Sequence, residues 1–168
     1  DVKHYWPSFR YRSGKEIAEE MAQLFYQHGY STFGFTDSLI NGSLKAFREL
    51  CSELKKANIP TTWNGQFICR SEKQMPESLW ADMAAAGCTD INIGIESGSE
   101  SVREHMKKKF SNEDMFYTFE MATKYGIQVV FNIIVGYPTE TEEDFDDTLL
   151  MLKNISELNK RLPIDKRH

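Results

Sequence analysis

The sequence predicts an α/β fold built on a parallel sheet of about four strand–helix units. Short runs rich in Val, Ile and Phe alternate with longer amphipathic segments, and the connections between them are short. Residues that favour helix starts and stops bracket the amphipathic segments. Strands that alternate with helices form βαβ units, in which the strands run parallel. Because the strands are so apolar, we expect helices to cover both faces of the sheet.

The first half of the chain predicts two helices and two strands. Ser13 and Glu16 form a capping box for a helix that Gly29 ends. The stretch "STFGF" predicts the first strand, and "SLKAFRELCSELKKA" predicts an amphipathic helix with one apolar stripe. Residues 61–67 predict the second strand.

The second half predicts four helices and two strands. Pro76 suits the first turn of a helix that ends near Gly87, and "INIGI" predicts the third strand. Two helical segments follow, over 99–108 and 111–126. The stretch "QVVFNIIVG" predicts the fourth strand, and a last helix runs from Pro138 to about residue 160.

Composition excludes several classes of protein. The 168 residues carry a formal net charge of -5, which gives no reason to expect nucleic-acid binding. No uninterrupted apolar stretch approaches the ~18 residues of a membrane span, and the opening residues do not read as a signal peptide. We therefore expect a single domain in the cytoplasm.

The three cysteines Cys51, Cys69 and Cys88 are widely spaced. This spacing argues against a disulfide framework and against a local metal motif, and favours three buried, reduced thiols. The lysines at 107–109 are interpreted as the solvated end of a helix.

Polar residues follow every predicted strand, where ligands bind in parallel α/β folds. They are Asp37, Ser38 and Asn41 after the first strand; Asn64, Gln66 and Arg70 around the end of the second; Glu96, Ser97, Gly98 and Ser99 after the third; and Gly136, Tyr137, Pro138, Thr139 and Glu140 after the fourth. Each has a structural alternative, such as a turn, a helix cap or a surface ion pair. Together they favour a ligand-binding edge of the sheet.

The order and spacing of several motifs resemble a known family. The stretches "AGC" at 86–88, "GIESGS" at 94–99, "GI" at 126–127 and "GYPTET" at 136–141 carry the resemblance. On these motifs the chain resembles the core of the radical S-adenosylmethionine (radical SAM) superfamily, especially its cobalamin-associated and methylthiotransferase-like branches.

This resemblance implies part of a β/α barrel in which a CxxxCxxC loop holds a four-iron four-sulfur cluster. In such enzymes the cluster binds S-adenosylmethionine and one electron cleaves it to methionine and a 5′-deoxyadenosyl radical. The resemblance also implies residue roles at the strand ends. Glu96, Ser97 and Gly98 would contact the ribose and methionyl end of the cofactor, and Arg103 its carboxylate.

The remaining roles follow from the same resemblance. Asp37 and Asn41 would lie by the cofactor amino group, and 136–138 (Gly136, Tyr137, Pro138) by its adenine. The substrate would be faced by Asn64, Gln66 and Arg70.

The CxxxCxxC motif is absent from these 168 residues. We therefore expect one partial barrel domain (1–168) that begins after the cluster loop, ends before the last strands, holds no metal and is inactive alone. Its partner would be the rest of a parent chain, with cobalamin as a candidate further cofactor, and its exposed sheet edges would favour self-association.

Two alternatives stay open on sequence. One is a non-catalytic α/β binding or regulatory domain, which the sequence before Asp1 in the gene would distinguish. The other is a fragment of a different barrel enzyme, such as a metal-dependent hydrolase. That enzyme would need His and Asp ligands at its strand ends, and these strand ends offer no suitable pairs.

Overall fold

The computed structural model describes residues 11–160, which form six helices and four strands. In chain order they are α1 (Gly14–His28), β1 (Thr32–Gly34), α2 (Leu44–Ala57), β2 (Thr62–Phe67), α3 (Glu77–Ala85), β3 (Cys88–Glu96), α4 (Glu100–His105), α5 (Asn112–Lys124), β4 (Gln128–Ile133) and α6 (Glu142–Lys160). Every helix and strand that the sequence predicts is present. The structure differs at some ends: β3 begins earlier, at Cys88, and β4 ends earlier, at Ile133.

The four strands form one parallel sheet in the order β1-β2-β3-β4. The predicted parallel α/β architecture is therefore confirmed. The register is continuous between β1 and β2 and shifts once between β2 and β3. It shifts again between β3 and β4, at Gly94 and Glu96.

Local sequence sets the predicted helix ends. The Ser13 hydroxyl accepts from the Glu16 amide while the Glu16 carboxylate accepts from the Ser13 amide, so the capping box of α1 is present. Gly29 ends α1 with φ of 73°, in the left-handed region that glycine tolerates best. Ser111 and Asp114 form a second capping box at the start of α5.

The core lies between one face of the sheet and the helices. On β3 the side chains of Ile91, Ile93 and Ile95 are each 0 % exposed. They belong to a cluster with buried residues of β2 and of helices α1, α2, α3, α5 and α6: Ala18, Met21, Phe47, Leu50, Leu54, Trp63, Phe67, Leu79, Met83, Met115, Phe119 and Met151. Removing this apolar surface from water supplies the main driving force for the fold.

Within residues 11–160 the opposite face of the sheet carries mostly polar, partly exposed side chains, so the expectation that helices cover both faces is wrong for this part of the chain. Along β3, the buried isoleucines alternate with half-buried Asn92, Gly94 and Glu96. This alternation of period two is typical of a strand with one face against the core and one face open. We call this second side the open face.

Among the helices of the described part of the chain, none combines the length and apolar character that a membrane span requires.

Candidate functional site

The carboxyl ends of all four strands lie at the same edge of the sheet, because every neighbouring pair is parallel. The loops at this edge begin after Gly34, Phe67, Glu96 and Ile133. These loops contain most of the polar residues that the sequence singles out.

Asn64 and Gln66 lie on the open face, in rows that cross the sheet. Asn64 is in register with Asp90 of β3, and Asp90 with Gln128 of β4. The next row runs from Gln66 to Asn92 and on to Val130. Register partners in a parallel sheet point to the same side, so these rows make a mostly polar surface below the loops.

Glu96 ends β3 in an unusual backbone conformation. Its φ is 70°, in the left-handed region, and it sits at the register shift between β3 and β4. For a residue with a Cβ, this conformation costs about 1–2 kcal/mol. Strained backbone of this kind is concentrated at functional sites.

The Glu96 carboxylate lies over Gly94 on the open face and pairs with Lys108. Lys108 Nζ is 2.7 Å from Glu96 Oε1 and donates a second hydrogen bond to the Gly94 carbonyl, at 3.1 Å. A Cβ atom at Gly94 would collide with Glu96 Oε1 and lie 3.0 Å from Lys108 Nζ. Glycine is therefore needed here for the ion pair to fold back onto the strand.

The next three residues, Ser97 to Ser99, are buried against the last helix. The Gly98 amide donates to the Thr148 hydroxyl at 2.9 Å, and the Ser97 hydroxyl lies 3.2 Å from the same oxygen. The Ser99 hydroxyl donates to Asp144 Oδ1 at 2.5 Å, and Ser99 also caps α4. Direct contact of Ser97 or Gly98 with a cofactor stays a prediction, and it would require this loop to rearrange.

Arg103 supports the same loop from α4. Its side chain is 1 % exposed; Nη1 donates to the Ser97 carbonyl at 2.6 Å and Nη2 to Asn112 Oδ1 at 2.5 Å. The guanidinium also stacks over the Phe110 ring, 5.2 Å from its centroid. These contacts hold the strand end in place, and the cofactor-carboxylate role of Arg103 stays a prediction.

Asn41 is completely buried and joins the loop after β1 to the loop after β2. Its amide nitrogen donates to the Ile68 carbonyl at 2.9 Å, and its amide oxygen accepts from the Ile68 amide at 3.1 Å. The Asn41 side chain thus makes the same two hydrogen bonds to the Ile68 backbone that a residue of a paired strand would make. Asp37, by contrast, is exposed and lines a groove of about 550 Å³ between α1, β1 and α2.

Arg70 follows β2 and is half-buried. Its Nη2 lies 3.3 Å from the Asn41 carbonyl oxygen and 3.4 Å from that of Gly42, so it contacts backbone rather than an acidic partner. Its Nε has no hydrogen-bond partner among the described residues.

The loop after β4 begins beside Glu96. The Ile134 amide donates to the Glu96 carbonyl at 2.7 Å. Gly136 then adopts a φ of 79°, and its amide donates to Glu140 Oε2 at 2.6 Å, which closes the loop. Tyr137 is half-buried and Pro138 is exposed.

The cysteines do not form a metal centre. Cys51, Cys69 and Cys88 are free and buried, as the sequence predicts. Burial raises the pKa of the Cys51 and Cys69 thiols to about 12, and it raises that of Cys88 as well. Within residues 11–160 no three His, Cys, Asp or Glu side chains are placed to hold a metal ion, so these residues do not fit an iron–sulfur cluster.

Sequence reasoning missed Lys108, Asp144 and Thr148. The interpretation of residues 107–109 as a solvated helix end is wrong for Lys108, because its side chain turns back to β3. No sequence signal distinguished it from the lysines beside it. The open-face side chains Asp90 and Asn92 did have a signal, namely their alternation with the isoleucines of β3.

Comparison with known proteins connects this geometry to a family. A family model described as "Radical SAM superfamily" matches residues 1–152. Among curated proteins, "Uncharacterized methyltransferase PH0819" of Pyrococcus horikoshii is 23% identical over 147 residues, which are 88% of this chain and 31% of that protein. A tRNA-2-methylthio-N(6)-dimethylallyladenosine synthase of Finegoldia magna is 39% identical over 94 residues, 54% of this chain and 20% of that protein.

A solved structure shares the fold. The radical S-adenosylmethionine methyltransferase TsrM from Kitasatospora setae, with cobalamin and a [4Fe-4S] cluster bound, matches with a TM-score of 0.74 and 20% identity. The match covers 86% of this chain and 27% of that one. This chain thus spans less than a third of the length of each of these three proteins.

Proposed function

The chain belongs to the radical SAM superfamily, and on this basis we propose that it forms the S-adenosylmethionine-binding part of a larger radical SAM enzyme. The enzyme would cleave S-adenosylmethionine reductively to begin radical chemistry. In this superfamily a four-iron four-sulfur cluster supplies the electron, and no described residue is assigned to hold it.

One observation carries the proposal, namely the Glu96 carboxylate at the carboxyl end of β3. Its side chain is 17% exposed, and only Oε1 is engaged by Lys108. Oε2 has no hydrogen-bond partner within residues 11–160 and is free to accept from a ligand. Ribose hydroxyls and the ammonium group of S-adenosylmethionine are hydrogen-bond donors that suit an ionised carboxylate.

The neighbouring loop supports an extended ligand. Because the Ile134 amide is bonded to the Glu96 carbonyl, the loop with Gly136, Tyr137 and Pro138 begins next to Glu96. Its backbone groups and aromatic ring suit an adenine. Asp37 follows β1, which is two strands away from β3 in the sheet, and we assign it to the cofactor amino group.

The substrate would bind below the cofactor, on the open face. Asn64 and Gln66 are in register with Asp90 and Asn92, which gives this surface amide and carboxylate groups for hydrogen bonds. We assign substrate contact to these rows and to Arg70. The substrate and the type of reaction do not follow from them.

We propose cobalamin as a second cofactor of the parent enzyme. The support for this is that the chain shares its fold with TsrM, which was solved with cobalamin bound. A visible absorption spectrum of the intact protein after incubation with hydroxocobalamin and gel filtration tests this part separately.

We propose that the rest of a longer parent chain packs against this part of the protein. β1 and β4 are the outer strands of the four-stranded sheet, and each has one unpaired edge in it. Further barrel strands, or a second copy of this chain, would pair with those edges.

The test uses the full-length parent protein, reconstituted anaerobically with iron and sulfide. We expect it to bind S-adenosylmethionine and, with dithionite, to release 5′-deoxyadenosine. Glu96→Gln should raise the dissociation constant roughly tenfold or more, since a hydrogen bond to a charged group contributes about 1.5–3 kcal/mol. Glu113→Gln, an exposed carboxylate on α5, is the matched control. A protein that binds no S-adenosylmethionine would favour the non-catalytic alternative.

A further inference from the structure

The pairing of Glu96 with Lys108 brings two strained backbone positions together. Glu96 has φ of 70° and Lys107, beside Lys108, has φ of 61°. Besides Asn58, these are the only residues other than glycine with positive φ in the described part of the chain. Two such costs on either side of one ion pair indicate that its geometry matters.

The backbone of Lys107 is what turns Lys108 toward the sheet. The Lys107 amide donates to the Glu104 carbonyl and the Lys108 amide to the Arg103 carbonyl, both at 2.9 Å. This pair of bonds is the helix C-terminal motif in which glycine normally takes the left-handed position. Lysine accepts the cost here, and α4 ends with the next side chain directed at β3.

Lys108 then holds the carboxylate of Glu96 by one oxygen. Its ammonium group bridges the Gly94 carbonyl and Glu96 Oε1, and its side chain is 30% exposed. The other oxygen, Oε2, is left without a partner among residues 11–160. A carboxylate fixed in this way can present one acceptor in a defined direction.

Building on the proposed function, we infer that Lys108 is a positioning residue. It holds the Glu96 carboxylate against Gly94 so that Oε2 points toward the cofactor. Lys108 itself need not touch the ligand. Its contribution is to reduce the conformational freedom that the Glu96 side chain would lose on binding.

A double-mutant cycle tests this inference in the intact, reconstituted protein. The dissociation constant of S-adenosylmethionine is measured by equilibrium dialysis for the wild type, Glu96→Gln, Lys108→Met and the double variant. We expect Lys108→Met to weaken binding roughly fivefold or more, on the scale of couplings between residues in contact. In the Glu96→Gln background the same change should alter binding less than about twofold.

Two further variants keep the test sharp. Lys109→Met changes the exposed neighbouring lysine and should leave binding unchanged. Gly94→Ala keeps both charges but displaces them, because its Cβ would meet the flexible ends of Glu96 and Lys108. It should weaken binding without lowering the melting temperature, so it reports on position even where Lys108→Met unfolds the protein.

The outcomes separate the two proposals. If Glu96→Gln binds as tightly as the wild type, the proposed function of Glu96 is wrong. If Glu96→Gln weakens binding but Lys108→Met and Gly94→Ala do not, only the role of Lys108 is wrong. Equal losses from Lys108→Met in both backgrounds would show that Lys108 acts without Glu96, which also overturns the inference.

Discussion

The hydroxyl oxygen of Thr148 lies 2.9 Å from the amide nitrogen of Gly98 and accepts its hydrogen bond. This bond joins the end of β3 to the middle of the first half of α6, far away in sequence. It belongs to a network that also includes the buried Ser97 and Ser99 and the half-buried Asp144. The loop that carries Glu96 is therefore held by a helix that follows the neighbouring strand.

Thr148→Val should destabilise the protein by about 1–3 kcal/mol, because the buried Gly98 amide would lose its acceptor. Valine keeps the shape of the side chain and removes only the hydroxyl. The free energy of unfolding from urea titration measures the effect. Thr36→Val, at an exposed loop position, should stay within about 0.5 kcal/mol of the wild type. Equal stability of the two variants would contradict the structural role of this network.

Gly98→Ala should also destabilise, for a steric reason. A Cβ atom at Gly98 would lie 2.6 Å from both the Asp147 carbonyl oxygen and the Thr148 Cα, so the helix backbone itself must move. Overpacking of this kind typically costs about 1–3 kcal/mol. Gly34→Ala is the control, since the nearest atom to its Cβ would be 3.7 Å away. Thermal unfolding of both variants compares them, and a native melting temperature for Gly98→Ala would contradict the close packing of this loop on α6.

Asp144 should make stability depend on pH in the acid range. Hydrogen bonds from the Ser99 hydroxyl and from Thr141 hold its pKa below the ordinary value of 3.8. A lowered pKa contributes stability that is complete above the ordinary value and is lost as the pH falls through the folded one. Asp144→Asn should therefore show a smaller loss of stability between pH 5 and about pH 3 than the wild type does.

Urea unfolding at several pH values between these limits measures that difference. Asp146→Asn, an exposed carboxylate on the same helix with no hydrogen bond in the described part of the chain, is the control and should follow the wild type. A wild-type curve for Asp144→Asn would show that the Ser99 and Thr141 bonds do not stabilise the fold.

The three thiols should react only after unfolding. Cys51, Cys69 and Cys88 are buried, and burial raises the pKa of each, so the reactive thiolate is scarce at neutral pH. We expect iodoacetamide to label them rapidly in urea and very slowly in the native protein, as peptide mass spectrometry can measure site by site. Fast native labelling at any of the three would contradict its burial.

The local sequence was sufficient for the order and kind of the elements. Capping boxes at Ser13 and Ser111 and the left-handed Gly29 fix helix ends through contacts within a few residues. The apolar strands favour a sheet that helices cover on both faces, and this prediction is wrong for residues 11–160. The polar residues of β3, at every second position, belonged to the open face.

For the site, the sequence located the strand ends but not the partners of their side chains. It determined that Glu96 closes a buried β-branched strand, because composition and alternation over adjacent residues decide where a strand stops. Only the tertiary structure decided that Lys108 turns back to Glu96 and that Thr148 and Asp144 hold the loop beyond it. Such pairs are set by the register of strands and the packing of helices, which bring together residues that no local pattern connects.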